Sequence, residues 1–238
     1  MAIGSLSAAS AYLSQSYRSA QSDMATALAR LGSNQRFQTA SQDADSYATV
    51  AALRGDQGTY DTAFSSSNEV AGEMEVYDAW ATQMMDLLVE MKDAVAAGDT
   101  ATSDGLALAI ADLNAATHNG AAITGGAAST MTGLDGVATT ISVTGIAITG
   151  TTASVDADIS ALTTFAQEVG ASKVQAESLS AAASALSSTN RVAIEQIYKI
   201  DEAQEMAKYT AADIKQQASL AMLSQANTSS QAILTLFR

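Results

Sequence analysis

The chain holds one histidine, His118, and no cysteine. A histidine pair and a thiolate nucleophile or metal site are therefore excluded at the outset. His118 precedes Asn119-Gly120 and reads as a favourable end to a helix, not as a base. Glu69, Glu73, Glu75 and Asp78 could be imagined as a di-metal cluster. Such clusters draw Glu-x-x-His steps from facing helices, and the chain contains none. These carboxylates read as a solvated face. Trp80 and the methionines Met74, Met84, Met85 and Met91 read as packing at a helix seam. Asn227-Thr228-Ser229 has the form of a glycosylation acceptor but lies in a tail expected to be covered. No catalytic, metal or cofactor-binding residue is assigned, no cofactor is expected, and an enzyme is the least favoured class.

The elements that must position these residues are long helices. The 238 residues include no proline, where average usage of about 5% would supply about a dozen. Proline breaks helix interiors, so its absence suits helices that must run uninterrupted. Ile3, Leu6, Leu13, Tyr17, Ala20, Met24, Ala27 and Leu31 recur at helical spacing up to Gly32-Ser33-Asn34. After a polar stretch, Ser41 can cap a second helix with Asp43 and Asp45 in its first turn. Its stripe runs Ala44, Tyr47, Val50, Leu53, Tyr60, Phe64, Ala71, Met74, Ala81, Met85, Leu88, Met91 and Val95. A shorter helix through Leu106, Ile110 and Leu113 should fold back after Gly98 and stop at Asn119-Gly120.

Between Gly120 and Gly150 lie seven of the fifteen glycines and the single charge Asp135. Here Ile141/Val143 and Ile146/Ile148 alternate with small polar residues around Gly145, the pattern of a small β-hairpin. The helical period resumes near Val155 with Ile159, Leu162, Ala166, Val169, Ala176, Leu179, Ala183 and Leu186. It continues through Ile194, Ile197, Ala207, Ala211, Ile214, Ala218 and Ala221 as one second rod, interrupted at Ala226–Ser230 before the apolar end. The expected fold is mainly α: a long antiparallel helical rod or coiled-coil bundle with a small β-hairpin region, assembling into a helical filament. Little in the monomer covers the apolar ends, so association with other copies is expected.

A formal charge of −14 disfavours nucleic acid and anionic lipid as partners. No run is long and apolar enough to insert in a membrane, and the first twenty residues lack the basic start and apolar run of a cleaved signal.

Specific residues then match a family. Ala27-Leu-Ala-Arg30-Leu31-Gly32-Ser33-Asn34-Gln35-Arg36-Phe37, followed by Ala40 and Asp43-Ala44, resembles the bacterial flagellin motif Arg-Leu-Ser-Ser-Gly-Leu-Arg followed by Ala-Lys-Asp-Asp-Ala. Gln216 to Asn227 and the closing Ile233-Leu-Thr-Leu-Phe-Arg238 are similar to the family's carboxyl end. The chain resembles a short flagellin lacking the variable outer domains. The motif residues are Arg30, Leu31, Asn34, Arg36 and Asp43. Asn34 stands where the family has glycine, Ser41-Gln42 replaces a lysine, and Ser229-Ser230 replaces a usual proline.

The resemblance implies that residues 1–35 and 200–238 are terminal helices of the filament's inner core. Residues 41–118 and 155–198 would form the rod domain, and 120–152 a glycine-rich segment with the hairpin. It implies a subunit exported through the type III channel without a cleaved signal peptide, polymerising outside the cell into the propeller for motility. Its partners would be other copies of itself, the export apparatus, and the cap and hook-junction proteins. The polymerisation surface expected is Leu6, Leu13, Tyr17, Met24 and Leu31 with Ile214, Ala221, Leu223, Ile233, Leu236 and Phe237, and with Ala211 and Ala218 permitting close approach. Val89 stands where many flagellins carry an arginine read by a vertebrate innate receptor, so weak recognition is expected. The alternatives are a hook–filament junction protein and a cytoplasmic coiled-coil adaptor.

Overall fold

A computed structural model describes the backbone of residues 2–236 and the side chains of residues 8, 10–229 and 231. The elements are α1 (Ala2–Ser33), α2 (Ala44–Ala97), α3 (Thr100–Asn114), β1 (Thr117–His118), β2 (Ala121–Ala122), β3 (Gly126–Thr132), β4 (Ala138–Thr144), α4 (Val155–Tyr198) and α5 (Glu202–Leu236). The chain is mainly α with a small β region. It divides into two compact units, residues 53–192 and residues 1–52 with 193–238.

In the 53–192 unit the buried positions of α2 include the series Ala63, Ser67, Val70, Met74, Tyr77, Ala81, Met84, Leu88 and Met91, with Trp80 and Ala94 buried beside it. The steps of the series alternate between four and three, a repeat of 3.5 residues. On α4 the buried series is Val155, Asp158, Leu162, Phe165, Val169, Ser172 and Ala176, then Ser180, Ala183 and Ser187. This is coiled-coil packing, and it corrects the stripes read at the free-helix period. An ideal helix drifts by about 20° per heptad against such a seam. Phe64, at 42% exposure, and Val95, at 36%, therefore leave the seam to Ala63 and Ala94. On α4, Phe165, Ser180 and Ser187 are buried where Ala166, Leu179 and Leu186 were expected.

The helices run antiparallel, because Ser187 Oγ donates to Asp61 Oδ1 at 2.8 Å and Ser180 Oγ to Asn68 Oδ1 at 2.9 Å. These bonds satisfy hydroxyls that the seam buries. The bulk of the core lies in another stretch of the same unit, where Met74, Tyr77, Trp80, Met84 and Leu88 meet Leu162, Phe165 and Val169. Asp99 caps α3 by accepting from Thr102 N at 3.1 Å, and Ile110 joins the core. Trp80 Nε1 donates to Leu113 O at 2.9 Å, near the end of α3.

That helix ends at Asn114, not at Asn119-Gly120. His118 consequently sits on β1 and pairs with Ala121. Asn119 (φ 51°) and Gly120 (φ 81°) form the two-residue turn between them, with both residues in the left-handed region that such turns require. The larger hairpin also differs from expectation. Ile141 and Val143 do form a strand, but β4 pairs with β3, with Ser129 opposite Ile141 and Ala127 opposite Val143. The expected partner, residues 146–148, is not a strand. Ile148 is instead buried, and its carbonyl accepts from Asn114 Nδ2 at 2.8 Å.

The hairpin is held on α2 by Thr132 N donating to Ser66 Oγ at 2.9 Å and by Ser129 Oγ donating to the Glu73 carboxylate. On the α4 side, Thr144 N donates to Glu168 Oε2 at 2.7 Å. Glu73 is thus a packing residue and not one of a solvated row. Among the described residues no group of histidines and carboxylates could hold a metal ion.

Candidate assembly surface

In the unit formed by residues 1–52 and 193–238, α1 and α5 pair antiparallel. Arg30 Nη1 meets Glu205 Oε1 at 3.4 Å, and Ser219 Oγ donates to Ser16 Oγ at 3.3 Å. The contact is built on small residues: Ala20, Ala27, Ala212 and Ser219 are buried in it. Side chains without bulk let two helices approach closely, so each terminal helix covers part of the other. The expectation that the monomer leaves these ends bare is corrected to that extent. Ala211, Ala218 and Ala221, named for this role, are exposed one or two positions from the residues that fill it.

The helix ends are set by local chemistry. Asn34 (φ 54°) takes the left-handed conformation that terminates α1, the role the family's glycine would serve. Arg36 N then donates to Tyr198 O at 2.8 Å. Phe37 is buried, with its ring edge-on to Tyr198 at 4.8 Å and to Tyr47 at 6.4 Å. Asp43, not Ser41, caps α2: its Oδ1 accepts from Ser46 N at 3.1 Å while Oδ2 accepts from Arg36 at 2.6 Å. The bonds from Ser46, followed by the arginine, hold the Asp43 carboxyl below its ordinary range. The motif residues Arg30, Leu31, Asn34, Arg36 and Asp43 therefore lie in and beside one joint.

A second joint lies at Lys199–Asp201, where α4 gives way to α5; the apolar stripe reads through it as one rod, while the resemblance divides the chain between residues 198 and 200. Asp201 caps α5 by accepting from Gln204 N at 3.1 Å. Asp201-Glu-Ala-Gln204 has the form of a capping box and could have signalled the break. The expected interruption at Ala226–Ser230 is absent, and α5 continues to Leu236. Serines and threonines cost a helix little, and Thr228 returns its hydroxyl to Ser224 O at 3.0 Å.

Leu13, Tyr17, Met24, Leu31 and Leu223 are partly covered within this unit, whereas Ile214 (62%) and Ala221 are exposed. The side chains of Leu6, Ile233, Leu236 and Phe237 lie outside the described residues. Other exposed apolar residues were not singled out beforehand: Tyr12 and Leu28 on α1, and Met206, Leu220 and Met222 on α5. At 100° per residue, Tyr12 and Leu28 point about 160° apart, and so do Met206 and Met222. Each terminal helix therefore exposes apolar side chains on nearly opposite sides. A helix that is apolar around much of its circumference calls for neighbours on several sides.

Charge divides sharply between the units. Residues 53–192 hold seventeen acidic and four basic residues, a net of −13, which leaves −1 on residues 1–52 and 193–238. Among the described residues no helix is long and apolar enough to cross a membrane. No curated protein matches the chain. Residues 152–237 match the family model of the bacterial flagellin C-terminal helical region. That stretch includes α4 and α5, so over this part of its length the chain is similar to the C-terminal helical region of bacterial flagellins.

Proposed function

We propose that this chain is a structural subunit that polymerises into the bacterial flagellar filament. Flagellins as a family are structural proteins that self-polymerise into a filament outside the cell. The observation that carries the reading for this chain is the pair of terminal helices, nearly neutral in charge and apolar on opposite sides, joined to a unit of net charge −13. Near-neutral helices can be surrounded by like helices without charge repulsion, while the acidic unit keeps free subunits soluble. Contacts that repeat head to tail without closing build an open helical assembly from one kind of subunit. The chain has no enzymatic role in this reading. It is exported through the flagellar type III channel and meets the cap and the hook-junction proteins on the way.

Removal of residues 228–238 tests the reading. The truncated chain should be secreted as a monomer that does not polymerise, and normal filaments from it in electron micrographs would exclude the proposal. The hook–filament junction is the second reading, favoured only by sharing terminal helices and an export route. Abundance decides between them, since a filament subunit must be the main band of sheared appendages and a junction protein a minor one.

A further inference from the structure

An open groove between α1 and α5 is lined by Asp23, Arg30, Glu205, Lys208 and Lys215 together with Thr26 and three alanines. Its three cations outnumber its two carboxylates, a positive site on a chain of net charge −14. Glu205 is already shared, with Oε1 facing Arg30 and Oε2 accepting from Lys208 Nζ at 2.9 Å. Two cationic groups remain accessible. Arg30, its side chain 29% exposed, meets Glu205 through Nη1 at a long 3.4 Å, and Lys215 has no ion-pair partner among the described residues. Guanidinium forks are suited to a carboxylate.

We infer that this groove receives a carboxylate from a second copy of the chain, which pairs with Arg30 and Lys215 when subunits assemble. The inference rests on the proposed filament function. A second copy is the fitting occupant because the chain is rich in acidic residues, with seventeen on residues 53–192 alone. The groove also lies on helices whose exposed apolar residues, such as Leu28 and Met206, need covering by a neighbour. An open cleft between two helices suits a side chain carried in by a protein surface better than a small free anion, which such a site would exchange with solvent.

The experiment combines zero-length carbodiimide cross-linking of filaments grown from mixed isotope-labelled and unlabelled subunits with the variant Lys215→Glu. Filaments should yield cross-links from Lys208 or Lys215 to an aspartate or glutamate of another copy, absent from the monomer. Lys215→Glu should raise the critical concentration for polymerisation about tenfold, with the monomer's melting unchanged. Arg30→Lys, which keeps the charge facing Glu205 but loses the planar guanidinium fork, should raise it as well. Cross-links confined to each chain, or variants that polymerise at the wild-type concentration, would overturn the groove assignment while leaving the filament reading in place. A wild-type chain that forms no filament would instead remove the filament reading, and this inference with it.

Discussion

Arg30 and Glu205 are 175 residues apart in sequence and meet across α1 and α5 at 3.4 Å, with Lys208 on the other carboxylate oxygen. One buried carboxylate thus ties the motif helix to the helix that follows the second joint. The hydrogen bond from Lys208, and then the charges of Lys208 and Arg30, outweigh burial and hold the Glu205 carboxyl below its ordinary range.

This relationship sets a pH dependence. A carboxyl whose folded pKa is depressed stabilises the fold fully above its unfolded value, about 4.3, and loses that contribution as pH falls through the lower folded value. Protection factors of α1 and α5 amides, with the intrinsic pH dependence of exchange divided out, should therefore be constant from neutral pH to about pH 5 and fall below about pH 4. Glu205→Gln should remove that acid limb and cost about 1–2 kcal/mol at neutral pH. An acid limb that survives the substitution would assign the effect elsewhere.

Trp80 reports on the other unit. It is the sole tryptophan, 4% exposed, and packs edge-on against Phe165 at 5.6 Å. Its fluorescence should be blue-shifted in the native chain and move to the red as residues 53–192 unfold. Trp80→Phe removes the indole bond to the Leu113 carbonyl, which keeps its bond from Ala116 N at 3.1 Å, and should lower the stability of that unit by about 1 kcal/mol. Native emission at the wavelength of free tryptophan would contradict this packing.

Two glycines should respond in opposite directions to alanine. Gly126 has φ 78°, and a Cβ there would meet the backbone of Val143 and Gly145. Gly126→Ala should destabilise the hairpin by about 2–3 kcal/mol. Gly170, inside α4, has open space around the same position. Gly170→Ala should stabilise by about 0.5–1 kcal/mol, and thermal melts of the two variants read the difference.

Val89 is 46% exposed on α2, so a receptor that needs an arginine at that place would meet an aliphatic side chain. The purified protein should be a weak agonist in receptor reporter cells. A response equal to that of a standard flagellin would show that recognition does not depend on this position.

Much of the architecture was legible from local chemistry. The missing prolines, the repeating apolar positions and the left-handed residue Asn34 mark long helices and the end of the first one. Ser41 was read as the cap that Asp43 supplies, and the seventy-residue period from Val155 ran through the break at Lys199–Asp201 that Asp201 caps. Periodicity reports a face and is almost blind to a three-residue joint that preserves the apolar spacing. Asn119-Gly120 was read as a helix stop, although the same dipeptide is a strong hairpin signal. The choice depended on where α3 ended, which Trp80 and Leu113 help determine from 33 residues apart.

By itself, then, the sequence determined the mainly helical class, the resemblance of the carboxyl end to flagellins, the excess of acid over base and the lack of cysteine. These depend on composition and on spacing along one chain. Only the tertiary structure decided that β4 pairs with β3 and not with residues 146–148, that small polar residues such as Ser67, Ser180 and Ser187 occupy the seam, and that Glu205 closes on Arg30. A strand-forming run specifies no partner, and a serine specifies no burial until an acceptor such as Asn68 or Asp61 is brought opposite it. Long-range packing supplies those neighbours, and with them the 3.5-residue register that the free-helix period of 3.6 cannot reveal.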